Sequence, residues 1–264
     1  MRPTAALVGA LLLLSAPSSA AGASWLLHGA LKNESAYFVS GEKRWDKIQN
    51  RLELKPEAEF GDWQFRGRGL VWYDAAMDVE PTRAPDLTGG IKRHYRTATE
   101  IKEAYLLHEG DAFDFRLGRQ QVVWGKTDGL RMLDIVNPLD LREFILDDFL
   151  DARIGVTAAR LNYYPDSEIE QEIELLVVPD AKPARAAPTG SRWAVATPPL
   201  PPGVRALQWL APRQPNWSPA DTELGLVWRG NDIHGWDLSL NYFYGWKDTP
   251  NALRSISGGV MQLQ

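Results

Sequence analysis

Three features of the sequence predict an all-β fold, and within it an antiparallel transmembrane β-barrel. Apolar and polar residues alternate along segments of about ten residues, and short and long connections alternate between those segments. Aromatic rings gather at the segment ends, as at the two interfaces of a membrane.

The chain opens MRPTAALVGALLLLSAPSSAAGAS: a positive Arg2, an apolar run over 5–14 too short to span a bilayer, then small residues. This is the pattern of a secretory signal cleaved after Ala20 or Ala23. Residues 1–23 are therefore expected to be a signal peptide and 24–264 the barrel. A first strand is expected over 25–39. Over 48–60, Ile48, Leu52, Leu54, Ala58 and Phe60 share one face, and Gln49, Arg51, Glu53, Lys55, Glu57 and Glu59 the other. Over 63–73, Trp63, Phe65, Val71 and Tyr73 oppose Gln64, Arg66 and Arg68.

Residues 97–109, 156–164 and 168–179 have strand-like composition. The segment 112–123 starts in phase with Phe113, Phe115 and Leu117, then breaks at Arg119 and Gln121, which predicts a bulge or an exit from the apolar zone. Thr222, Leu224, Leu226 and Trp228 oppose Asp221, Glu223 and Arg229. The clearest alternation is WDLSLNYFYGW over 236–246.

Short turns fall at 61–62, 110–111, 165–167 and 230–235, with longer connections at 41–47, 79–96, 125–154, 181–220 and after 247. A soluble β-sandwich has no reason to keep its long loops at one end, whereas a barrel has short periplasmic turns and long extracellular loops. The count is about nine strands, but bacterial barrels use even numbers. The chain stops inside or just before a tenth candidate, SGGVMQLQ, and is expected to be the N-terminal portion of a longer barrel unless closure is unusual.

Composition excludes several classes. There is no cysteine, so no disulfide framework, zinc-thiolate site or cysteine nucleophile. The net charge of −5 carries no nucleic-acid signature. The stretch GRQQVVWGKTDG, 118–129, ends like a phosphate-binding loop, but six residues separate Gly118 from Gly125 where that loop needs about four. Val122, Val123 and Trp124 also favour extended backbone over an anion nest. His28, His94, His108 and His234 form no ligand pair, and no Gly-x-Ser-x-Gly elbow occurs. Glu57 and Glu59, like Glu170, Glu172 and Glu174, have the spacing of a polar strand face. They are expected to line a wet lumen rather than to act as acid–base pairs. No enzyme activity and no cofactor are expected.

Residues 100–164, with LGRQQVVWGKTDGLRMLDIVNPLDLREF at their centre, resemble a proteobacterial family of large outer-membrane proteins catalogued under a domain of unknown function; LSLNYFYGW is similar to a later strand of that family. The resemblance implies a Gram-negative outer-membrane barrel, members about twice this length, and insertion by the barrel assembly machinery. It also implies a periplasmic protein and an inner-membrane exporter as partners, and with them transport of bulky or hydrophobic solutes.

Within that frame, 113–123 is expected to rise to the outer face with Trp124 near the outer girdle. Asn137-Pro138 reads as a helix start, and Leu141, Ile145 and Phe149 give the helix an apolar stripe. The loop 124–149 is expected either to fold into the lumen as a constriction or to cap the rim. Its polar residues are Lys126, Asp128, Arg131, Asp134, Asn137, Asp140, Arg142, Asp147 and Asp148, followed by Asp151. The acids lack a calcium-loop pattern, so ion pairs with Arg142 and Arg153 are expected instead of a metal.

Arg51, Glu53, Lys55, Glu57, Arg66, Arg68 and Glu223 are the expected lumen lining, of mixed sign and hence not an ion-selective ring. The Pro-rich 181–220, with Trp193, Trp209 and Trp217, is expected to be a surface loop that partly orders. The expected function is a porin-like or partner-coupled passage. The alternative is a non-transporting barrel that recognises a polysaccharide or protein, and an exported soluble enzyme has no catalytic signature behind it.

Overall fold

The computed structural model describes residues 18–20, 23–41, 43–80, 89–125, 134–143, 149–188, 191, 193–194, 200–210, 215–248, 254–257 and 260–263. In chain order the strands are β1 (Ser18–Ala20), β2 (Ala23–Tyr37), β3 (Trp45–Phe60), β4 (Trp63–Asp74), β5 (Thr97–Glu109) and β6 (Phe113–Gln120). They continue with β7 (Asp140–Leu141), β8 (Val156–Tyr163), β9 (Glu170–Val178), β10 (Arg185–Ala186) and β11 (Ala206–Trp209). The last are β12 (Glu223–Ile233), β13 (Trp236–Tyr244), β14 (Arg254–Ser257) and β15 (Val260–Leu263). Short helices α1 (Ala76–Val79), α2 (Gly89–Arg96) and α3 (Phe149–Ala152) and a 3-10 turn at Pro219–Asp221 lie in the connections.

One antiparallel sheet of ten strands runs β1-β2-β3-β4-β5-β6-β8-β9-β12-β13. Strands follow one another in chain order, so successive connections fall at opposite ends of the sheet and all the long ones share an end. Among the described residues β1 and β13 are the two edges. No described helix is long and apolar enough to cross a membrane.

The two faces of the sheet are inverted relative to a water-soluble protein. Leu52, Val71, Leu106, Leu117 and Leu226 share the outward side and are exposed, and Leu240 reaches 70 %. On the opposite side Gln49, Arg51, Lys102, Asn162 and Glu223 are buried, and Glu174 is 0 % exposed. The period of two sets this division, since a slip of one residue would exchange the faces. A bulge in the middle of the sheet interrupts it: Arg68 faces Glu103 and Gly69 faces Ile101, leaving Lys102 as the extra residue of β5.

An apolar cluster sits on the otherwise polar side. Val156, Ala158, Leu176, Val178 and Val227 from β8, β9 and β12 pack with Val122, Trp124 and Val136, with Phe243 against them. These strands bury apolar side chains there because a connection lies on top of them.

Several expectations change. Among the described residues no helix starts at Asn137-Pro138: Leu139 bridges Arg153, and Asp140–Leu141 is strand β7, paired in parallel with β10. The physical reason is that the Asn137 carboxamide accepts from Val122 N–H (2.7 Å) and donates to the Ile154 carbonyl (2.9 Å), so it is not free to cap a helix. Among the described residues of this connection, helix is found at Phe149–Ala152. The end of the chain does not extend the main sheet, because β15 pairs with β11 and β14. The break at Arg119 and Gln121 is an exit, with β6 ending at Gln120. Helices α1 and α2 lie in the connection between β4 and β5. Asp74 organises its start, accepting from Ile48 N–H (2.9 Å) and Ala76 N–H (3.0 Å).

Candidate functional site

The site is built where the connection between β6 and β8 crosses the polar face of the sheet. Its sequence begins QVVWG, apolar enough to leave the solvent, and the chain turns inward directly after Gln120. Trp124, expected at the outer girdle, is instead 7 % exposed in the apolar cluster. Its Nε1–H donates to Glu174 (2.8 Å) and its ring meets Phe243 edge-on, 5.6 Å between centroids. A Cβ at Gly225 would lie 2.5 Å from Trp124 Cη2, so only glycine leaves room for the indole. Glu174 also accepts from Arg160 (2.8 Å) and Arg229 (3.0 Å). A carboxylate so deeply buried is tolerable because cations and an indole N–H take its lone pairs.

The second anchor is ionic and lies on β3, β4 and β5. Asp151, in α3, accepts from Arg51 (2.9 Å) and Arg68, while its carbonyl accepts from Lys102 Nζ (2.8 Å). Arg68 also donates to Glu53 (2.9 Å). Glu100 of β5 holds three cations: Arg185 at 2.7 Å, Arg142 at 2.8 Å and Lys102 at 3.1 Å. Arg142 grips Asp140 as well. Burial opposes the charge of Asp140, but the Arg142 guanidinium outweighs it and holds that carboxyl below the usual aspartate range. Burial likewise works against Arg142, and its two acids override it and push its pKa up.

Between the loop and the sheet is a cavity of about 40 Å³ whose walls include Arg51, Lys102, Arg142, Tyr95 and Trp72. It has room for a few water molecules at most. A larger space of about 740 Å³ opens on the β6 side of β5.

The expected loop residues thus divide. Trp124, Asn137, Asp140, Arg142 and Asp151 come together on the polar face, and Asp134 pairs with Arg153 (2.8 Å). Lys126, Asp128, Arg131, Asp147 and Asp148 lie outside the described residues. Of the expected lining, Arg51, Glu53 and Arg68 join the ionic anchor. Lys55 pairs with Glu53 (2.6 Å), and Arg66 meets Glu57 only at 4.0 Å. Glu223 stands apart at the start of β12 and accepts from Trp246 N–H (2.9 Å).

Sequence reasoning missed Glu100, Lys102 and Arg185 at the ionic anchor and Arg160 and Arg229 beside Glu174. Arg229 was legible on a polar strand face, whereas Glu100 and Arg160 lie in segments legible only as strand-like, and nothing local marked any of them as loop anchors. Among the described residues no group of three or more His, Cys, Asp or Glu stands ready for a metal ion.

No curated protein matches the chain, and no solved structure matches it. A family described as "Protein of unknown function (DUF1302)" matches residues 2–253, nearly the whole sequence. A resemblance read from the LGRQ, VVWG, DGLR and DLREF runs of the central segment is therefore a matter of descent along the chain: this protein belongs to the DUF1302 family.

Proposed function

We propose that the chain forms the wall of an outer-membrane β-barrel whose lumen is narrowed by the connection between β6 and β8, and that this barrel is a passage for bulky or hydrophobic solutes. The observation that carries the reading is the inversion of the faces. A sheet with leucines outward and ionised side chains inward is unfavourable in water and favourable in lipid around a wet interior. Dimensions agree with it. The ten steps from Trp63 to Tyr73 on β4 cover about 34 Å, which a tilt of about 45° reduces to a band of about 24 Å. Aromatic residues border that band at both ends, with Trp25, Phe60, Trp63, Phe113, Tyr163 and Trp236 near the short turns and Tyr37, Trp45, Tyr73 and Tyr244 near the long loops.

Outer-membrane lipid is then the main partner of the outward face. Delivery through a cleaved signal, barrel assembly machinery, a periplasmic protein and an inner-membrane exporter belong to the same proposal. Planar bilayers test it: the protein should conduct, and deleting 139–149 should raise the single-channel conductance. Protein that neither conducts nor shifts on a gel between unheated and boiled samples ends the barrel reading. Unchanged conductance in the deletion ends the constriction.

One observation favours a second reading. The loop is held from two sides, by Trp124 and by Asp151, which suits a barrel closed to solutes that binds a polysaccharide or protein. Solute flux from vesicles separates the two, since only the passage requires an open lumen.

A further inference from the structure

The wall has a notch. β5 pairs with β6 only over Ala104–Glu109, because the chain leaves the sheet after Gln120. The upper half of β5, 97–103, is laddered to β4 on one side and to no strand on the other among the described residues. Gln121 N–H, just past the end of β6, donates to the Glu103 carboxylate (3.2 Å). The space of about 740 Å³ lies along this free edge. Thr99 and Ile101, from the outward side of β5, line it together with Glu100 and Lys102, from the polar side. A space lined by both faces of one strand passes through the wall at that strand's edge. Ile101 pairs with Gly69, below the level where Tyr73 pairs with Thr97, so the notch opens within the apolar band.

Its chemistry differs on the two sides. The outer lip is apolar, with Ile101 58 % exposed. The rest of the lining carries Lys102, Arg142 and Arg185, with Arg119 at the end of β6, against one acid, Glu100. Asp140 behind Arg142 and Arg185 offsets part of that charge. Arg119 differs from the rest: among the described residues it forms no ion pair, and its buried Nε has no hydrogen-bond partner. A buried guanidinium nitrogen left unsatisfied costs free energy that an anionic ligand would recover.

We propose that this notch is a lateral site for an anionic amphiphile, its carboxylate or equivalent anion at Arg119 and Arg185 and its apolar tail leaving past Ile101 and Thr99 into the bilayer. The proposal rests on the barrel reading and narrows its solute class. The solute passes between lumen and lipid through the wall instead of along the whole lumen.

The absence of native cysteine makes the test direct. Single-cysteine variants Leu240→Cys and Thr99→Cys carry a bimane fluorophore in vesicles. Dibrominated phosphatidylcholine probes contact with lipid, 12-bromododecanoate probes the notch, and neutral 12-bromododecanol is its control. The expected result is lipid quenching at 240 together with saturable quenching at 99 by the carboxylate. The alcohol should bind more weakly, and Arg119→Gln should raise the carboxylate's Kd roughly tenfold or more. Lipid quenching at 240 also reports that each variant has folded, and Arg185→Gln serves if Arg119→Gln loses it. No lipid quenching at 240 in the parent overturns the barrel and the notch together. Lipid quenching at 240 with non-saturable quenching at 99, with equal affinity for acid and alcohol, or with no effect of the arginine variants, overturns the notch alone.

Discussion

The loop between β6 and β8 is held to the sheet twice, by means that differ in kind. On β8, β9, β12 and β13 the anchor is apolar: Trp124 sits over Gly225 and Phe243, and one carboxylate, Glu174, is shared by an indole and two arginines. On β3, β4 and β5 the anchor is ionic: Asp151, Glu100 and Asp140 each face two or more cations around a small cavity. Apolar burial is neither screened by salt nor titrated by acid, whereas ion pairs beside water are weakened by added salt and by acid that protonates their carboxylates. One foot of the loop is thus a fixed point and the other an adjustable one.

The largest effect is expected at the fixed point. Trp124→Ala empties the apolar cluster and should lower the unfolding free energy by about 3–5 kcal/mol, measured by urea titration in vesicles. A loss below about 1 kcal/mol would mean that the cluster does not hold the loop.

Asp151→Asn should cost less, about 1–3 kcal/mol, because Arg68 keeps Glu53 and nearby water screens what is exposed. A double-mutant cycle sharpens the contrast. The two anchors share no contact, so the losses should add to within about 0.5 kcal/mol. Strong coupling would show that the loop is one unit and not a strap with two feet.

Acid should release the ionic foot alone. Asp140 has its folded pKa held below the ordinary 3.8. Its stabilisation is therefore present above that ordinary value and lost as pH falls through the depressed one. Amide protection factors at 134–143 should be flat from pH 7 down to about 4 and fall below it. Asp140→Asn should remove that acid step. An unchanged step would assign it to other carboxylates. The smallest effect is expected outside both anchors: Arg66→Gln loses an exposed pair at 4.0 Å and should change stability by less than about 0.5 kcal/mol.

Much of the sheet was legible in the sequence because strand alternation is local. Arg51, Glu53 and Arg68 fell on the polar face from period alone, as Leu52, Val71 and Leu240 fell on the other. The alternation of short and long connections likewise followed from turn residues. The acids and arginines of the loop were legible as ion-pairing groups, but their partners were not. Asp151 reaches Arg51 across 100 residues of sequence, and Trp124 reaches Glu174 across 50. Trp124 was misplaced for that reason: an aromatic at a strand end looks the same whether it meets headgroups or turns inward. Asn137 was misread because Asn-Pro is a good helix start until its carboxamide finds two backbone partners.

What the sequence determined by itself is the strand sequence, the faces of the strands that alternate cleanly and the end at which the long loops lie, since these depend on residues a few positions apart. Tertiary structure alone decided that β6 stops at Gln120, that the following segment crosses the polar face, and that the upper edge of β5 is left without a strand among the described residues. Those outcomes depend on which distant surface can bury Trp124 and pair Asp151. Such energies exist only once the sheet has assembled.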